Sequence, residues 1–238
     1  MKKIVFTGGT GRFAKVFKSI KNRYKIEYPS KAKLNIEKFD SIKSYLKKNK
    51  PNYLIHCAGL SRPMKIHDDD ISRSILINII GTSNIVRACK EKNIKLIYFS
   101  TNYVYQGNKG NYKETDPLLP VNNYAWSKLG GETSVQLYNN SLILRLSMTE
   151  KPFVHKKAFT NVKTSFLYHE DVVKILFKIL NKRGVVNVGG KAQFIYNFAK
   201  KDNPDLKKQF LRNKSKHEIP IDSSINLLKL RKILKKEL

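Results

Sequence analysis

Residues 4–14 read Ile-Val-Phe-Thr-Gly-Gly-Thr-Gly-Arg-Phe-Ala, an apolar strand that runs directly into a glycine-rich turn. A helical pattern of apolar residues follows over residues 12–22. Glycines in such a turn let the backbone approach a diphosphate, whose charge then lies at the positive end of the helix. This order of strand, turn and helix predicts a dinucleotide-binding βαβ unit. The candidate cofactor-binding residues of the turn are Gly8, Thr10, Gly11, Arg12 and Phe13.

The same alternation of strand and helix continues through residues 1–149. Strands are predicted over residues 3–7, 24–29, 53–58, 95–100 and 141–146, and helices over 12–22, 37–49, 71–91 and 122–138. The strands are continuously apolar, which is typical of a parallel sheet covered by helices on both faces. We therefore predict an α/β fold in which residues 1–149 form the dinucleotide-binding domain. In the helix over 71–91, the residues expected to face the core are Ile75, Ile79, Ile80, Ile85 and Ala88.

The regular alternation weakens after residue 150. The patterns predict a loop-rich segment over 151–168, a helix over 169–182, a short strand over 184–188 and an amphipathic helix over 223–236. Asp222 or Ser223 is expected to cap the last helix. We predict that residues 150–238 form a small substrate-binding lobe, which is partly interleaved with the first domain in a single compact unit.

The net charge of +29 points to a different class of function. A charge of this size attracts polyanions such as nucleic acid. The lysines, however, are spread along the whole chain and greatly outnumber the arginines, whereas base readout and bidentate phosphate binding favour arginine. We therefore expect non-specific, salt-sensitive binding to polyanions and no specific nucleic-acid partner.

Membrane and metal sites are not predicted. No apolar run approaches the roughly 20 residues that a membrane helix needs, so we expect no membrane span. Cys57 and Cys89 have no second cysteine or histidine at metal-ligand spacing. We expect two reduced, buried thiols in a cytoplasmic protein.

The segment after the second strand indicates which dinucleotide is bound. An acidic residue at this position would bind the 2′-hydroxyl of NAD. Residues 28–33 instead read Tyr-Pro-Ser-Lys-Ala-Lys, so Ser30, Lys31 and Lys33 stand where the carboxylate is expected. Arg12 adds a further positive charge in the glycine turn. This pattern favours the 2′-phosphate of NADP, with NAD as the alternative.

Candidate catalytic residues lie at the end of the fourth strand and on the next helix. Residues 95–101 read Lys-Leu-Ile-Tyr-Phe-Ser-Thr, an apolar strand that ends in a hydroxyl pair. Tyr124 and Lys128 are four residues apart and share one helix face. A nearby ammonium stabilises a phenolate, so the tyrosine could exchange protons near neutral pH. A hydride-transfer enzyme is indicated by three features in this order: a nucleotide-binding turn, the hydroxyl of Thr101 and this Tyr–Lys pair.

Taken together, these motifs resemble the extended short-chain dehydrogenase/reductase superfamily, and within it the dTDP-4-dehydrorhamnose reductases and related nucleotide-sugar enzymes. The resemblance covers nearly the whole chain. The matching segments are Thr7-Gly8-Gly9-Thr10-Gly11, Leu34-Asn35-Ile36, Ile55-His56-Cys57-Ala58-Gly59, Asn78, Gly81-Thr82-Ser83-Asn84, Ser100-Thr101-Asn102-Tyr103-Val104-Tyr105, Tyr112-Lys113-Glu114, Pro120-Val121-Asn122-Asn123-Tyr124, Ser127-Lys128, Leu144-Arg145-Leu146-Ser147, Pro220, Ser223 and Lys229-Leu230.

The resemblance implies roles for these residues in a Rossmann-like, doubly wound sheet. Tyr124 would be the general acid that protonates a sugar keto oxygen, and Thr101 would hydrogen-bond the same oxygen. Lys128 would bind the nicotinamide ribose and lower the pKa of Tyr124. The further cofactor-binding positions that it implies are Asn35, Ile36, Ala58 and Gly59. The implied function is an NADP-dependent reductase of a 4-keto-6-deoxy nucleotide sugar, with a homodimer as an open alternative to a monomer.

The sequence departs from this family at several positions. Ala14 stands at the usual third glycine and Ala125 at the glycine after the tyrosine, while Asn35 and Asn102 replace aspartates. The segment between Ser147 and Tyr168, which helps to build the sugar pocket, is shorter than usual. Two alternatives therefore stay open: a nucleotide-sugar epimerase with tightly held NAD(P), and a non-catalytic, dinucleotide-binding regulatory subunit.

Overall fold

The computed structural model describes residues 1–212 and 219–236. The strands, in chain order, are β1 Lys3–Thr7, β2 Lys25–Glu27, β3 Tyr53–His56, β4 Lys95–Thr101, β5 Ser141–Leu146, β6 Met148–Thr149, β7 Lys157–Phe159, β8 Lys163–Thr164, β9 Leu167–Tyr168, β10 Gly184–Val188, β11 Gln193–Phe194 and β12 Lys207–Gln209. The α-helices are α1 Arg12–Ser19, α2 Phe39–Asn49, α3 Ile66–Asp69, α4 Ile71–Ser74, α5 Gly81–Glu91, α6 Asn123–Gln136, α7 His169–Ile179, α8 Ile195–Ala199 and α9 Leu228–Lys235.

Six parallel strands form the central sheet, in the order β10-β5-β4-β3-β1-β2. The four inner strands, β1, β3, β4 and β5, are buried almost throughout because helices cover both faces of the sheet, whereas the edge strand β2 is not. Ile4 and Phe6 of β1 pack into one core with α1 and α7, whereas Val5 packs into the opposite core with α2 and α5. The prediction of an α/β fold with a doubly wound parallel sheet is therefore confirmed.

The chain after residue 150 builds a small lobe and then returns to the sheet. Three two-stranded pairs, β6–β9, β7–β12 and β8–β11, frame the lobe. Its own core contains Phe153, Val162, Ile195 and Leu206. In contrast, α7 packs on α1, and β10 pairs with β5 at the edge of the main sheet. The proposed boundary at residues 149 and 150 stays a prediction.

The helix predicted over residues 71–91 contains a π-helical segment, Ile75–Ile80, between α4 and α5. A π turn holds more residues than an α turn, so it rotates the side chains that precede it relative to those that follow. Ile85 and Ala88 are buried as expected, but Ile75 and Ile80 are 42% and 44% exposed. The prediction that those two isoleucines face the core was wrong, because the π segment turns Asn78 inward instead.

The C-terminal helix begins later than predicted. It starts at Leu228, and Leu227 caps it without a side-chain hydrogen bond. The expected caps are engaged elsewhere: Ser223 N donates to Lys163 O, and Asp222 Oδ1 accepts from Ser224 N at 3.0 Å. The polar pattern at Asp222 marks a turn that joins the lobe. Neither this helix nor any other in the described part of the chain is long and apolar enough to cross a membrane.

A buried ion pair joins α6 to the sheet. Arg145 of β5 donates to Glu132 Oε1 from Nη2 at 2.7 Å and from Nε at 3.1 Å, and both side chains are at most 3% exposed. Ser100 of β4 donates to the other carboxylate oxygen, and Arg145 Nη1 donates to Tyr105 Oη at 2.8 Å. Every charge in this network therefore has hydrogen-bond partners, which burial in a low-dielectric core requires.

We expect Arg145→Met to lower the free energy of unfolding by about 3–5 kcal/mol, because Glu132 would stay buried without its counter-charge. Replacing both groups, in Glu132→Leu/Arg145→Met, should recover most of that loss. Urea unfolding followed by circular dichroism measures both. The control is Lys174→Met, which breaks an exposed pair with Asp171 and should cost about 0–1 kcal/mol. A loss in Arg145→Met no larger than the control's would contradict a structural role for the buried pair.

Candidate active site

The glycine turn lies directly against the end of β3. Gly8 has a φ of +77°, a conformation that glycine adopts without strain. A Cβ atom on Gly8 would lie 2.8 Å from the backbone nitrogen of Ala58, and one on Gly9 would lie 2.8 Å from Cβ of Tyr28. The backbone of the turn is therefore packed too closely for any larger residue, and its outer surface forms one wall of a groove.

The amino end of α1 opens onto this groove. Gly11 is the N-cap and provides no side-chain cap, so the first backbone N–H groups of the helix are available to an anion. Thr10 and Arg12 are exposed beside it. Phe13 is buried among Phe6, Phe99 and other core rings, so only its backbone faces the turn. These residues fit the diphosphate of a dinucleotide.

The opposite wall is the segment after β3, which Asn78 of the π-helical segment fixes. Asn78 Oδ1 accepts from Leu60 N at 2.7 Å, and Asn78 Nδ2 donates to Leu60 O at 2.9 Å and to Ser127 Oγ at 2.8 Å. A Cβ atom on Gly59 would lie 3.2 Å from Asn78 Oδ1. One buried amide therefore holds the Ala58–Gly59 wall against the catalytic helix α6. Sequence reasoning noted Asn78 but did not assign it to the site.

Beyond Tyr28 lies a second region, near β2 and α2. A cavity of about 730 Å³ there is lined by residues that include Tyr28, Pro29, Lys33 and Ser41. Lys31 forms an ion pair with Glu37 and is otherwise exposed. Glu37 is a carboxylate that sequence reasoning missed, because it lies several residues beyond the end of the second strand.

Asn35 and Ile36, the other residues predicted for this region, have structural contacts. Asn35 Oδ1 accepts from Glu37 N at 3.0 Å, which closes a local turn. Ile36 is buried, and Gly81 leaves the space for its side chain, since a Cβ there would lie 2.9 Å from Ile36 Cδ1. Both residues therefore shape the end of the groove through the backbone.

Thr101 and Tyr124 meet at the carboxyl end of the sheet. Thr101 ends β4, and Tyr124 lies in the first turn of α6, which Asn122 caps by accepting from Ala125 N at 2.9 Å. The side chains of Thr101 and Tyr124 lie close enough together for the threonine hydroxyl to act on the phenol. Burial raises the pKa of Tyr124 to about 12, while Thr101 and Arg62 act in the opposite direction. The phenol therefore holds its proton at neutral pH.

Lys128 lies one turn further along α6 and is buried. Its Nζ is 4.3 Å from the ring centroid of Tyr98, whose hydroxyl donates to the carbonyl of Lys128 at 3.0 Å. Burial lowers the pKa of Lys128 to about 8. Tyr98 is a contact that sequence reasoning missed, since it looked like an ordinary core aromatic. The effect of Lys128 on the pKa of Tyr124 stays a prediction.

Two neighbouring residues depart from their predicted surroundings. Cys57 is half-buried beside this site, whereas Cys89 is buried in the core, as expected. Burial raises the pKa of Cys57 to about 12, so its thiol is neutral. Asn102 is buried and donates to Ser223 O at 2.9 Å and Ser223 Oγ at 3.0 Å. The amide that replaces the usual aspartate thus joins the lobe to β4.

The predicted site residues therefore form three groups along one groove. Thr101, Tyr124 and Lys128 lie at the carboxyl end of the sheet. The glycine turn and the Ala58–Gly59 segment form the walls. Ser30 and Lys31 lie at the far end, next to Tyr28. Arg12 contacts Glu150 of the lobe, a partner that the sequence did not reveal.

Solved structures share this architecture over nearly the whole chain. The crystal structure of a dTDP-4-dehydrorhamnose reductase from Bacillus anthracis in complex with NADP superposes with a TM-score of 0.85 at 24% identity, covering 97% of this chain and 91% of that one. A structure from Sulfolobus tokodaii, described as a hypothetical dTDP-4-dehydrorhamnose reductase, gives a TM-score of 0.83 at 25% identity, covering 98% and 94%. The fold is thus Rossmann-like, as predicted.

Curated relatives match a smaller share of the chain and are of two kinds. The methionine adenosyltransferase 2 subunit beta of Xenopus tropicalis is 30% identical over 148 residues, covering 58% of this chain and 44% of that protein. The dTDP-4-dehydrorhamnose reductase of Aggregatibacter actinomycetemcomitans is 29% identical over 154 residues, covering 63% and 52%. The chain spans about half the length of the curated relatives that it matches.

The family comparison covers most of the chain. A family model described as the RmlD substrate binding domain matches residues 1–188. This range contains the glycine turn, the Ala58–Gly59 wall, the catalytic candidates and β10, the edge strand of the sheet. The resemblance to the extended short-chain dehydrogenase/reductase superfamily is confirmed. The chain therefore belongs to the RmlD substrate-binding domain family.

Proposed function

We propose that this protein is an NADP-dependent reductase of a 4-keto-6-deoxy nucleotide sugar. The observation that carries the proposal is the proximity of the Thr101 hydroxyl to a protonated Tyr124 at the carboxyl end of the sheet. A neutral phenol next to a second hydroxyl can donate a proton to a keto oxygen. Lys128 and the glycine-lined groove supply the places for a dinucleotide beside it. The likeness to dTDP-4-dehydrorhamnose reductases supports the substrate class.

In the proposed reaction, bound NADPH would supply a hydride to the carbonyl carbon. Tyr124 gives its phenolic proton to the carbonyl oxygen, so the ketone becomes an alcohol and the tyrosine is left as a phenolate. Thr101 donates a hydrogen bond that orients the same oxygen. The ammonium of Lys128 holds the ribose and favours the transient phenolate, which then regains a proton from solvent.

The groove also supports a preference for the phosphorylated dinucleotide. Ser30 and Lys33 are exposed at the end of β2, and Lys33 lines the cavity beside Tyr28. A 2′-phosphate there would find hydroxyl and ammonium donors. Glu37 neutralises part of this charge by pairing with Lys31. We therefore expect Lys33 to contribute more than Lys31 to the preference for NADP over NAD.

A non-catalytic subunit is the second candidate function. It is favoured by the 30% identity to the methionine adenosyltransferase 2 subunit beta, whose name describes a subunit of another enzyme. Turnover separates the two candidates. NADPH oxidation, followed by loss of the nicotinamide absorbance with a panel of 4-keto nucleotide sugars, supports the reductase. Tight NADPH binding with no oxidation by any sugar in the panel would favour the subunit.

Tyr124→Phe is expected to reduce kcat by about 10²–10⁴-fold, because it removes one proton donor and keeps the ring. NADPH affinity, measured by fluorescence, should stay close to that of the unchanged protein. The matched control is Tyr24→Phe, a half-buried tyrosine at the opposite end of the sheet, which should leave both quantities unchanged. Normal turnover in Tyr124→Phe would remove this residue from the chemistry.

Turnover is expected to fall as the pH rises through about 8, because the lowered pKa of Lys128 removes the ammonium there. Tyr124 does not cause this decline, since its pKa of about 12 keeps the phenol protonated. Lys128→Arg should shift the decline to higher pH, because a guanidinium stays charged. The pH profile of kcat/KM measures the shift. A decline near pH 8 that persists in Lys128→Arg would assign it to another group.

The double variant Lys31→Ala/Lys33→Ala is expected to weaken NADPH binding by about tenfold and leave NADH binding unchanged, because charge-assisted bonds to the 2′-phosphate are lost. Fluorescence titration of both cofactors measures the difference. Lys21→Ala/Lys25→Ala removes the same charge at the opposite end of the sheet and should change neither affinity. Equal losses for both cofactors would show that the lysines act only through the general charge of the surface.

A further inference from the structure

Two arginines and one glutamate form a cluster across the mouth of the groove. Arg12 begins α1 and Arg62 lies three residues after Gly59, so the arginines come from opposite walls. Glu150 follows β6 in the lobe. Glu150 Oε1 lies 3.1 Å from Arg12 Nε and 3.3 Å from Arg62 Nη1. A single carboxylate oxygen therefore holds both guanidinium groups together.

The cluster keeps an excess of positive charge and of donors. Two guanidinium groups face one carboxylate, and the side chains of Arg12 and Arg62 are 52% and 39% exposed, against 14% for Glu150. Each guanidinium has five N–H donors, and Glu150 is the partner that the described residues supply to either of them. The remaining donors lie on partly exposed side chains, where they can bind an anion.

The neighbouring ionisable groups do not remove this charge. Burial lowers the pKa of His169, whose ring packs edge-on against Phe13, and its Nδ1 has no hydrogen-bond partner in residues 1–212 and 219–236. Burial also lowers the pKa of His155, so both imidazoles are neutral near pH 7. Tyr103 is a buried phenol with a raised pKa. Glu150 is thus the carboxylate that pairs with the two arginines, whereas Glu170 acts on His169 from α7.

We propose that Arg12 and Arg62 together bind a diphosphate ester at the mouth of the groove, with Glu150 as their internal counter-ion. The inference rests on the proposed function, because it supplies the ligand class. A planar guanidinium binds phosphate oxygens in a bidentate manner, which lysine does not. Arginine is scarce in this lysine-rich sequence, yet two arginines from separate loops meet here. A surface on which lysines are evenly spread does not explain why two arginines contact the same carboxylate oxygen.

The diphosphate could come from either of two ligands. Arg12 lies in the glycine turn, where a dinucleotide diphosphate would lie. Arg62 lies close enough to Tyr124 to oppose the rise of its pKa, which places Arg62 on the side of the reacting oxygen, where a nucleotide sugar would lie. Both are diphosphate esters with the same chemistry at the phosphates, so binding measurements with separate ligands distinguish them.

The test uses Arg12→Gln and Arg62→Gln, with Arg23→Gln as the control. Arg23 is exposed between α1 and β2, at the opposite end of the sheet, and the substitution changes the net charge equally. NADPH binding is followed by fluorescence, and dTDP binding to NADP-saturated protein by calorimetry. At least one of the two affinities should fall about tenfold or more in each cluster variant, because charged hydrogen bonds to phosphate are lost. The control should change neither.

The pattern of losses assigns the ligand. A loss of dTDP binding alone assigns the site to the nucleotide sugar, and a loss of NADPH binding alone assigns it to the dinucleotide. Arg62→Lys should recover only part of the loss, since an ammonium is a point charge. With the unchanged protein, inorganic pyrophosphate should compete with whichever ligand is affected, and this measurement does not depend on how the variants fold.

The proposal is overturned if both affinities in both folded variants stay within about twofold of the unchanged protein, which is too small for a lost charged hydrogen bond. Absence of pyrophosphate competition would overturn it as well. Neither result depends on turnover. A protein that binds both ligands through these arginines but reduces no sugar would lose the reductase proposal and keep this site.

Discussion

The geometry of the candidate active site depends on the buried ion pair between Glu132 and Arg145. Glu132 lies one turn after Lys128 on α6, and its carboxylate also accepts from Ser100, the neighbour of Thr101. The two elements that carry the catalytic candidates are thus fixed to each other by charge and hydrogen bonds. A buried pair of this kind contributes little net stability, because desolvation offsets most of its attraction. The ion pair instead fixes the position of α6, because a shift of α6 along β4 would leave a charge in the core without its partner.

A second set of polar contacts fixes the groove, and it works without charge. His56 lies 2.9 Å from Thr7 Oγ1 and 3.1 Å from Thr82 Oγ1, and burial lowers its pKa to about 3. The neutral imidazole bridges β1 to α5 and adds no positive charge beneath the glycine turn. The side-chain amide of Asn78 likewise fixes the Ala58–Gly59 segment through uncharged hydrogen bonds to Leu60. Together these groups leave electrostatic control of the site to the few groups that remain ionised, chiefly Lys128 and the arginines at the groove mouth.

Much of this arrangement follows from local sequence, and the rest depends on contacts between distant segments. The glycine turn, the apolar strands and the Tyr124–Lys128 spacing each carry their signal within a few residues, so the sheet could be predicted and the candidate site residues could be proposed. The π-helical segment has no such signal, because an extra residue in a turn preserves the apolar composition while changing which side chains are buried. Glu150 and Arg62 are 88 positions apart, and their meeting is a property of the folded chain.

The contact between Asn102 and Ser223 affects when the site can be completed during synthesis of the chain. The two residues are 121 positions apart, and Ser223 supplies two of the three acceptors for the buried side-chain amide of Asn102, which follows Thr101. A nascent chain emerges from the ribosome amino end first, and its early segments can fold as they appear. The central strands can therefore assemble while the polar pocket behind Thr101 still lacks its partner. Competence would then arrive as a late event, when the segment that carries Ser223 docks against a scaffold already in place.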